Sequence, residues 1–487
     1  MNSPGYGDSE PIAALATPLS ASALALIRTS GGGEEGQNAI SLLARVFSRP
    51  EALLAATGNS VVHGWIIERN AAGYAGGNAN GNRKLDEVLV SVYRAPHSYT
   101  GEDGADISCH GGIATVKAVM AALKKAGFRA ALPGEFTFRA FMNGKFDLTA
   151  AESVMEIVAA KTDRARDSAL RRLSGALERE IIAIKGMLVE ILASAEICLD
   201  YSEDEFLLPN GDEEAGRLPG RKLAEEAAAR LKSISELWRI ERIYAEGALA
   251  VIAGKPNAGK SSLFNYLLAE DRSIVTDAPG TTRDWIEALI SVEDIPLRLV
   301  DTAGLREPLI ENNEAERIGI NRSLELLDMA DIILYVIDGS VGITESDREF
   351  ITRRKEAARE QPLLVLWNKA DLKPQKGDSH LFSVSAKTGE GIPALTASIA
   401  DILVSASTAS EAGGGEAVGP GTVRQKGLID SSLSSLEEAL ALSDKGEPLD
   451  IIAPLLRSAV DALGEITGEV YSADILEAMF SRFCVGK

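Results

Sequence analysis

Separated motifs between residues 254 and 387 carry side chains that could bind and hydrolyse a nucleoside triphosphate. The first motif, Gly254-Lys-Pro-Asn-Ala-Gly-Lys260-Ser261, lies between an apolar run and a helix-like run, the usual setting of a phosphate-binding loop. Backbone N–H groups of such a loop surround the phosphates. Lys260 would then reach the β- and γ-phosphates, and the Ser261 hydroxyl would bind Mg²⁺.

Three later motifs complete the nucleotide site, and the last two concern the base, which they indicate is guanine rather than adenine. Asp301-Thr-Ala-Gly304 follows an apolar run, so its carboxylate can hold the magnesium shell and its glycine amide can sense the γ-phosphate. In Asn368-Lys-Ala-Asp371, the carboxylate of Asp371 can pair with the N1 and N2 hydrogens of guanine. Ser385-Ala-Lys387 would close over the base. These motifs follow the phosphate loop in the order that a GTPase requires.

The composition favours an ordinary globular protein in a reducing compartment. The 487 residues suffice for about two to four domains, and 25% are charged and 45% hydrophobic. Three cysteines, Cys109, Cys198 and Cys484, have no metal-like spacing. The first residues lack signal-peptide features, and no apolar stretch approaches the roughly 18 residues of a membrane span. We therefore expect a cytoplasmic protein without a membrane segment.

The formal net charge of −21 limits the ways in which the chain could bind nucleic acid. Phosphate contacts need lysine and arginine, so a uniformly basic binding surface is excluded. If the protein acts on RNA, we expect a partner to supply part of the RNA contact.

Four regions differ in their hydrophobic pattern. Residues 1–146 mix strand-like runs (23–28, 61–67 and 87–93) with a helix-like run at 113–125, which predicts an α+β domain, and the polar stretch 70–82 predicts a hairpin tip. Residues 147–246 show helical periodicity, broken near Pro209 and Pro219. Residues 247–404 form the predicted GTPase. Residues 405–487 begin with a loose linker to about 422 and are then helical.

The last helical region is too short to form its own core, and the helices before the GTPase also need partners. We therefore predict one helical domain with the GTPase inserted into it. Such a layout would transmit a nucleotide-driven movement from both ends of the inserted domain.

Motifs outside the GTPase resemble those of one family. The chain resembles the MnmE (TrmE) tRNA-modification GTPases, of the TrmE-Era-EngA-like superfamily, nearly end to end. The motifs that carry the resemblance are Ala16-Thr-Pro18, Ile27-Arg28, Ser98-Tyr-Thr-Gly-Glu-Asp103, His110-Gly-Gly112, Pro133-Gly-Glu-Phe136, Arg139-Ala-Phe-Met-Asn143, Asp147-Leu-Thr-Ala-Ala-Glu152, Thr276-Asp-Ala-Pro-Gly-Thr-Thr-Arg-Asp284, Gly464-Glu-Ile-Thr-Gly468 and Phe483-Cys-Val-Gly-Lys487.

The resemblance implies a fold and an activity. It implies an N-terminal α+β folate-binding domain that forms a homodimer, a central helical domain, and a Ras-like P-loop GTPase inserted in the helical one. With the FAD-containing, NADH-using MnmG, as a heterotetramer, such proteins add a carboxymethylaminomethyl or aminomethyl group to C5 of the wobble uridine, position 34, of certain tRNAs. The carbon comes from 5,10-methylene-tetrahydrofolate, with 5-formyl-tetrahydrofolate as an analogue, and the nitrogen from glycine or ammonium.

A second function remains open, a GTP-operated ribosome-assembly or regulatory switch without modification chemistry. The terminal Cys-Val-Gly-Lys and the folate positions favour the modification activity, because a pure switch has no use for them.

The water-orienting group for hydrolysis is not at its usual place. Small signalling GTPases have a glutamine just after the Asp-x-x-Gly motif, where this chain has Leu305. One interpretation is a slow GTPase that waits for an outside activator. The resemblance instead maps the catalytic glutamate onto Glu316, with Glu314 as the competing assignment across a lengthened loop. No arginine finger is evident, and Arg283 and Arg306 are candidates by sequence proximity alone.

The resemblance also implies a potassium ion that supplies the missing positive charge, with Mg²⁺ beside it. The potassium contacts would be Asn257, Thr276, Ala278 and Thr281, although Asn257 would also suit a tight turn. Thr282 would complete the magnesium shell with Ser261. The full set of expected GTP contacts is Asn257, Ala258, Gly259, Lys260, Ser261, Ser262, Thr276, Asp277, Ala278, Pro279, Gly280, Thr281, Thr282, Asp301, Thr302, Ala303, Gly304, Asn368, Lys369, Ala370, Asp371, Ser385, Ala386 and Lys387.

The expected folate contacts rest on the resemblance and are Arg28, Asp106, Lys145 and Lys487. A carboxylate suits the amino-pyrimidinone edge of a pterin, and cations suit its glutamate tail. The chain departs from the family pattern at Asp106, where glutamate is more common, and at Leu19-Ser-Ala-Ser22. Lys145 and Lys487 could meet only if the C-terminal helices fold back.

Two other polar residues are open to a structural or a chemical interpretation. Cys484 could be a catalytic thiol, but no neighbouring histidine would activate it, so a structural or site-lining role is favoured. His110, in His-Gly-Gly, is expected to fix a turn rather than to transfer a proton.

Overall fold

The computed structural model describes residues 10–32, 37–69, 82–200, 218–270, 286–301, 325–356, 361–373, 381–405 and 418–486. The chain divides into two compact units. The first unit comprises Met1–Met155 together with Gly464–Lys487, and the second comprises Glu156–Leu463. Among the described helices, none has the length and apolarity that crossing a membrane requires.

The first unit is built on a six-stranded sheet. Its strands are β1 (Ile12–Leu15), β2 (Leu24–Ser30), β3 (Ser60–Glu68), β4 (Arg83–Tyr93), β5 (Gly104–His110) and β6 (Arg129–Ala130). Their order in the sheet is β3-β4-β5-β2-β1-β6, with every neighbouring pair antiparallel except β1 and β6. The three predicted strand runs are therefore confirmed, and β3 and β4 are joined by the polar stretch, of which residues 70–81 lie outside the described part.

Alternation along these strands builds the core of the first unit. Val88, Val90 and Val92 are buried and occupy alternate positions on β4, as expected for a sheet with one covered face. The helices are α1 (Ala39–Ala44), α2 (Pro50–Leu54), α3 (Ile113–Ala126), α4 (Glu135–Met142), and α5 (Leu148–Ala159), whose last residues enter the second unit. Helix α3 ends at Gly127, whose φ of 118° is a left-handed conformation that suits glycine.

The second unit combines long helices with a second sheet. Its first helices are α6 (Asp163–Leu173), α7 (Ala176–Asp200) and α8 (Arg221–Glu246), so the predicted helical region is confirmed. The predicted break near Pro209 lies outside the described residues. The later helices are α9 (Lys260–Glu270), α10 (Glu345–Glu356), α11 (Ile392–Ser405), α12 (Val423–Asp444) and α13 (Leu449–Thr467), of which the last extends into the first unit; α14 (Ala473–Phe480) lies in that unit.

The second sheet has the pattern of a nucleotide-binding domain. Its strands are β7 (Ala248–Gly254), β8 (Ile286–Val292), β9 (Ile295–Asp301), β10 (Ile332–Asp338), β11 (Leu363–Asn368) and β12 (Leu381–Ser383). The order is β12-β11-β10-β7-β9-β8, and only β8 runs antiparallel to its neighbour. Strand β10 is buried over successive residues from Ile332 to Ile337, because helices cover both faces of a parallel sheet.

The GTPase is inserted between helices that pack on each other. Helix α8 ends at Glu246 and strand β7 begins two residues later, while α12 begins the return after the GTPase. Helices α8 and α12 are in extensive contact, so the chain leaves and re-enters the helical region side by side. The predicted insertion is confirmed.

A buried arginine connects the place where the chain leaves the helical region with the place where it returns. The Arg172 side chain, 2% exposed, contacts Glu156 Oε2 at 2.6 Å and Glu241 Oε2 at 3.0 Å. Its Nη1 also donates to the carbonyl oxygen of Gly419, at 3.2 Å. Burial acts to lower the pKa of Arg172, but Glu241 and Glu156 outweigh it and raise the pKa. One guanidinium group therefore holds α5, α6, the end of α8 and the returning chain.

Replacing this arginine should destabilise the second unit strongly. Arg172→Met would leave the carboxylates of Glu156 and Glu241 buried without their cation, which costs about 3–5 kcal/mol of unfolding free energy. Denaturant unfolding monitored by circular dichroism would measure the loss. Arg166→Met is the matched control on the same helix, because Arg166 is half-exposed and pairs only with exposed aspartates. Equal stability of the two variants would contradict the assigned role of Arg172.

Candidate functional site

The carboxyl ends of four parallel strands meet at one edge of the second sheet. Strands β7, β9, β10 and β11 end at Gly254, Asp301, Asp338 and Asn368. In open sheets of this kind the ligand crevice lies outside these ends, where the strand order reverses. Strand β7 lies between β9 and β10, so the phosphate loop starts at the centre of the edge.

Two glycines allow the phosphate loop to approach its neighbours closely. A Cβ on Gly254 would lie 2.3 Å from the carbonyl oxygen of Val336, and Gly254 has a φ of 139°. A Cβ on Gly259 would lie 2.2 Å from Asn368 Nδ2, and Gly259 has a φ of 94°. Only glycine fits both the space and the backbone angle at these positions.

The loop holds the lysine and the serine that are expected to contact phosphate and magnesium. The Lys260 ammonium group donates to the carbonyl oxygens of Gly254, at 3.0 Å, and Lys255, at 2.9 Å, which keeps it inside the loop. The Ser261 hydroxyl donates to Asp301 Oδ2 at 2.7 Å. The two side chains expected around Mg²⁺ are therefore adjacent. Hard oxygen donors of this kind suit Mg²⁺.

The base-recognition motifs are tied to the phosphate loop and to each other. Asn368 Nδ2 donates to the carbonyl oxygen of Ala258 at 2.8 Å, and Asn368 Oδ1 accepts from the backbone N–H of Ala386 at 3.1 Å. The Ser385 hydroxyl donates to Asp371 Oδ1 at 2.7 Å, which orients the carboxylate expected to pair with guanine. Residues from three distant segments are thus joined by hydrogen bonds.

The other expected GTP contacts that the structure describes lie in or next to the phosphate loop and the base-recognition motifs. Ser262 is in the first turn of α9, Ala370 donates its N–H to the carbonyl oxygen of Val384 at 3.2 Å, and Lys387 is exposed. Asn257 has a φ of 64°, so its backbone adopts the tight turn that its residue type favours. Its expected role as a potassium ligand stays a prediction.

One polar residue of the crevice escaped the motif analysis. Asp338, at the end of β10, contacts the Lys369 ammonium group with Oδ2 at 2.6 Å. Burial acts to raise the pKa of Asp338, but hydrogen bonds from Lys369 and Ser340 outweigh it and lower the pKa. An aspartate directly after a buried parallel strand is the sequence signal that could have identified it.

Several expected contacts fall on residues that the structure does not describe, and their roles stay predictions. They are Thr276, Asp277, Ala278, Pro279, Gly280, Thr281, Thr282, Thr302, Ala303, Gly304, Glu316 and Lys487, together with Glu314, Leu305, Arg283 and Arg306.

In the first unit, two of the expected folate contacts form a bidentate ion pair. Arg28 Nε lies 3.0 Å from Asp106 Oδ1, and Nη2 lies 3.3 Å from Oδ2. Arg28 Nη1 also donates to the carbonyl oxygen of Gly486 at 3.3 Å, so the chain end lies beside β2. The C-terminal segment does fold back onto the N-terminal part, as the shared site would require.

Tyr99 connects this pair to the region of Lys145. The Arg28 guanidinium group lies 5.7 Å from the centre of the Tyr99 ring, and that ring lies 5.9 Å from the ring of Phe146. Lys145 donates to the carbonyl oxygen of Pro96 at 2.9 Å instead of contacting Arg28 or Asp106. Sequence motifs contained Tyr99, but its position beside Arg28 and Phe146 depends on tertiary packing.

A buried ionic network explains why several of the quoted motifs lie close together. Arg139 contacts Glu102 Oε2 at 3.1 Å and Glu135 Oε1 at 2.9 Å, and Arg129 contacts the same Glu135 oxygen at 2.6 Å. Glu135 is fully buried. Burial acts to raise its pKa, but the two arginines and the Leu132 N–H outweigh it and lower the pKa. These motifs therefore support the fold around Arg28.

His110 and Cys484 have the surroundings of structural residues. His110 contacts Asp86 through Nδ1 at 2.7 Å and donates its backbone N–H to the same carboxylate at 2.8 Å, so Asp86 fixes the turn after β5. Cys484 is exposed, and its carbonyl oxygen accepts from the N–H of Gly134 at 3.4 Å. The hydrogen bond of Cys484 is made by its backbone, so it assigns no chemical role to the thiol.

Together, the strand order, the phosphate loop and the base-recognition motifs define a P-loop GTPase inserted in a helical domain, with a separate α+β N-terminal part. Family models agree with this architecture. The model described as MnmE helical domain matches residues 148–484, and the model described as GTP-binding protein TrmE N-terminus matches residues 11–145.

Relatives match over nearly the whole chain. It is 41% identical over 499 residues to the tRNA modification GTPase MnmE of Treponema denticola, with 99% of each chain covered. It is 38% identical over 489 residues to the protein of that name from Carboxydothermus hydrogenoformans, with 98% of this chain and 99% of the relative covered. The chain belongs to the MnmE family of tRNA modification GTPases. The solved structure of Aquifex aeolicus Era bound to GDP·AlF4⁻ is 24% identical, the match covers 39% of this chain and 66% of that chain, and the TM-score is 0.26.

Proposed function

We propose that this protein is the GTP-hydrolysing component of a complex that modifies C5 of the wobble uridine, position 34, in certain tRNAs. The group added is carboxymethylaminomethyl or aminomethyl, and its carbon comes from 5,10-methylene-tetrahydrofolate. The observation that carries the proposal is the 41% identity, over 99% of both chains, to a protein named tRNA modification GTPase MnmE. Because the match spans both units, it covers the nucleotide site and the candidate folate site.

The described residues support specific steps of GTP binding. Lys260, now bonded to loop carbonyls, would exchange these contacts for the β- and γ-phosphates. Ser261 would bind Mg²⁺ directly, and Asp301 would hold the ion through its magnesium shell. Asp371 would recognise guanine. Glu316 would orient the attacking water, and Thr282 would complete the magnesium shell.

The proposed folate site uses the ion pair beside the chain end. Asp106 would accept from the amino-pyrimidinone edge of the pterin, while Arg28 holds this carboxylate in place with two hydrogen bonds. Burial acts to lower the pKa of Arg28, but the Asp106 carboxylate outweighs it and raises the pKa, so the cation is retained. Lys145 and Lys487 would bind the carboxylates of the folate tail.

The proposed assembly is a cytoplasmic homodimer that joins an FAD-containing MnmG in a heterotetramer and acts on tRNA. The net charge of −21 supports a division of labour, because so acidic a chain gains from a partner that contributes to the RNA contact.

Mass spectrometry of wobble uridines tests the proposal most directly. Deleting the gene should remove the C5 modification, and the wild-type gene should restore it. Normal wobble uridines in the deletion strain would contradict the proposal. Reduced folate retained by the purified protein separates a modification enzyme from a regulatory switch, because a switch has no reason to bind it.

The proposed potassium site predicts that GTP hydrolysis depends on the monovalent ion. Turnover at saturating GTP should be several-fold faster in K⁺ than in Na⁺, because the ion would supply the charge that an arginine finger supplies elsewhere. Asn257→Lys should remove this dependence, since a side-chain ammonium group replaces the ligand. Steady-state phosphate release in matched chloride salts measures both effects. Equal turnover of the wild type in the two salts would contradict the potassium assignment.

A further inference from the structure

A single ammonium group connects the base-recognition motif to the phosphate loop. Lys369 Nζ donates to the backbone carbonyl oxygen of Asn257 at 2.9 Å. The same nitrogen contacts Asp338 Oδ2 at 2.6 Å. Lys369 has a φ of 64° and Asn257 also has a φ of 64°, so two residues in an uncommon backbone conformation are joined by this contact.

The Asp338 carboxylate is itself fixed. Its Oδ1 accepts from the backbone N–H of Ser340 at 2.9 Å and from the Ser340 hydroxyl at 2.5 Å. The Asp338 side chain is only 19% exposed, compared with 31% for Lys369. The carboxylate is therefore held on one oxygen by its own turn, and its other oxygen is aimed at Lys369.

A fixed carboxylate changes what the lysine can do. Lysine has a long flexible stem and can adopt many rotamers, so holding its ammonium group on a single carbonyl oxygen costs conformational entropy. Asp338 restricts that freedom before any nucleotide arrives. The pairing also places Asn257 in the position from which the proposed potassium contact would be made.

We infer that Asp338 is a positioning residue for GTP binding and for its potassium response, acting through Lys369 on the Asn257 carbonyl. The inference rests on the proposed potassium-activated GTP hydrolysis and deepens it. The contact links the guanine-binding side of the pocket to the phosphate side, so a change at Asp338 should alter both together.

Asp338→Asn tests the inference, because it removes the charge and nearly preserves the shape. The KM for GTP and the Kd for mant-GDP should rise about tenfold, as expected when a charge-assisted contact is lost. The K⁺ concentration for half-maximal activation should rise as well. The kcat at saturating GTP and K⁺ should stay within about twofold of wild type, since Asp338 is not assigned to the reacting groups. A merely structural defect would instead lower the fraction of active protein. The apparent kcat would then fall, and KM would stay unchanged.

A double-mutant cycle identifies the route of the effect. In a Lys369→Met background, Asp338→Asn should cause no further loss of mant-GDP affinity, because the group through which it acts is gone. Asp401→Asn is the matched control, an exposed aspartate on α11 of the same domain, and it should leave KM and Kd unchanged.

The outcomes separate this inference from the proposed function. Wild-type protein that binds mant-GDP without hydrolysing GTP would contradict the proposed function. Equal mant-GDP affinity of wild type and Asp338→Asn, or full additivity of Asp338→Asn with Lys369→Met, would overturn the role of Asp338 whether or not GTP is hydrolysed.

Discussion

Replacing Glu316 with alanine should lower the kcat for GTP hydrolysis by about 10²-fold or more and leave GTP affinity nearly unchanged. The usual water-orienting glutamine is replaced by Leu305, whose side chain can neither donate nor accept a hydrogen bond. A carboxylate elsewhere must then orient the water if the protein turns over unaided. GTP binding is proposed to rest on Lys260, Ser261 and Asp371 and not on Glu316, so the loss should appear in kcat rather than in affinity.

Single-turnover hydrolysis and mant-GDP titration measure the two quantities separately. Glu314→Ala is the matched variant, two residues away in the sequence, and it should retain most of the activity. If Glu314→Ala loses activity and Glu316→Ala does not, the alignment across the loop is wrong. If both variants keep wild-type turnover, neither glutamate is catalytic; low turnover of the wild type as well would indicate that the protein depends on an outside activator.

The sequence motifs of the proposed nucleotide site lie close together in the structure because local rules determine most of their geometry. An apolar strand, a glycine-rich turn and a helix start form a phosphate loop largely through backbone geometry, so Gly254, Lys260 and Ser261 could be assigned without a structure. Asp301 and Asn368 also follow buried strands, and parallel strands bring their carboxyl ends to one edge. The meeting of these residues follows from fold class alone.

The other interactions could not be predicted because they depend on pairing between distant segments. Arg172 is buried against Glu241 and against the carbonyl oxygen of Gly419, which is 247 residues away. Periodicity shows which helix face is apolar, but not which charged residue a neighbouring helix covers. The contact of Asp338 could not be predicted for the same reason, since it depends on the position of Lys369 just after the neighbouring strand β11.

The short strands of the N-terminal part were missed for a different reason. Strand β6 has only two residues, and its pairing with β1 depends on the approach of a segment 117 residues further along the chain, from Ile12 to Arg129. A run of two residues carries no period, so hydrophobic alternation could not reveal it. The same tertiary approach brings α4 and the Pro133-Gly-Glu-Phe136 motif to the sheet.

Deleting Cys484–Lys487 should abolish tRNA modification and weaken folate binding, while K⁺-stimulated GTP hydrolysis stays intact. The deleted segment contacts one proposed folate residue directly, because the carbonyl oxygen of Gly486 accepts from Arg28. The carbonyl oxygen of Cys484 accepts from the N–H of Gly134, before helix α4. Gly486 is buried, and a Cβ there would lie 3.0 Å from the Cα of Ala16. The tail therefore packs beside strands β1 and β2, next to Ala16 and Arg28. GTP hydrolysis should survive because its residues lie in the other compact unit.

The measurements are modification of tRNA with the flavoprotein partner, retention of 5-formyl-tetrahydrofolate, and GTP turnover in K⁺, all on the same preparations. Val485→Ser is the matched control, since this side chain is 50% exposed, and the substitution keeps the backbone contacts of the tail. The deletion leaves Phe480 and Phe483 in place, whose rings pack at 5.2 Å, so the segment before it should remain folded. If the truncated protein supports modification at the wild-type rate, the tail takes no part in the chemistry, and the reason for its position beside Arg28 must be structural. If modification and GTP turnover fail together, the tail would instead support the whole molecule. Only loss of modification with GTP turnover preserved links the chain end to the folate step.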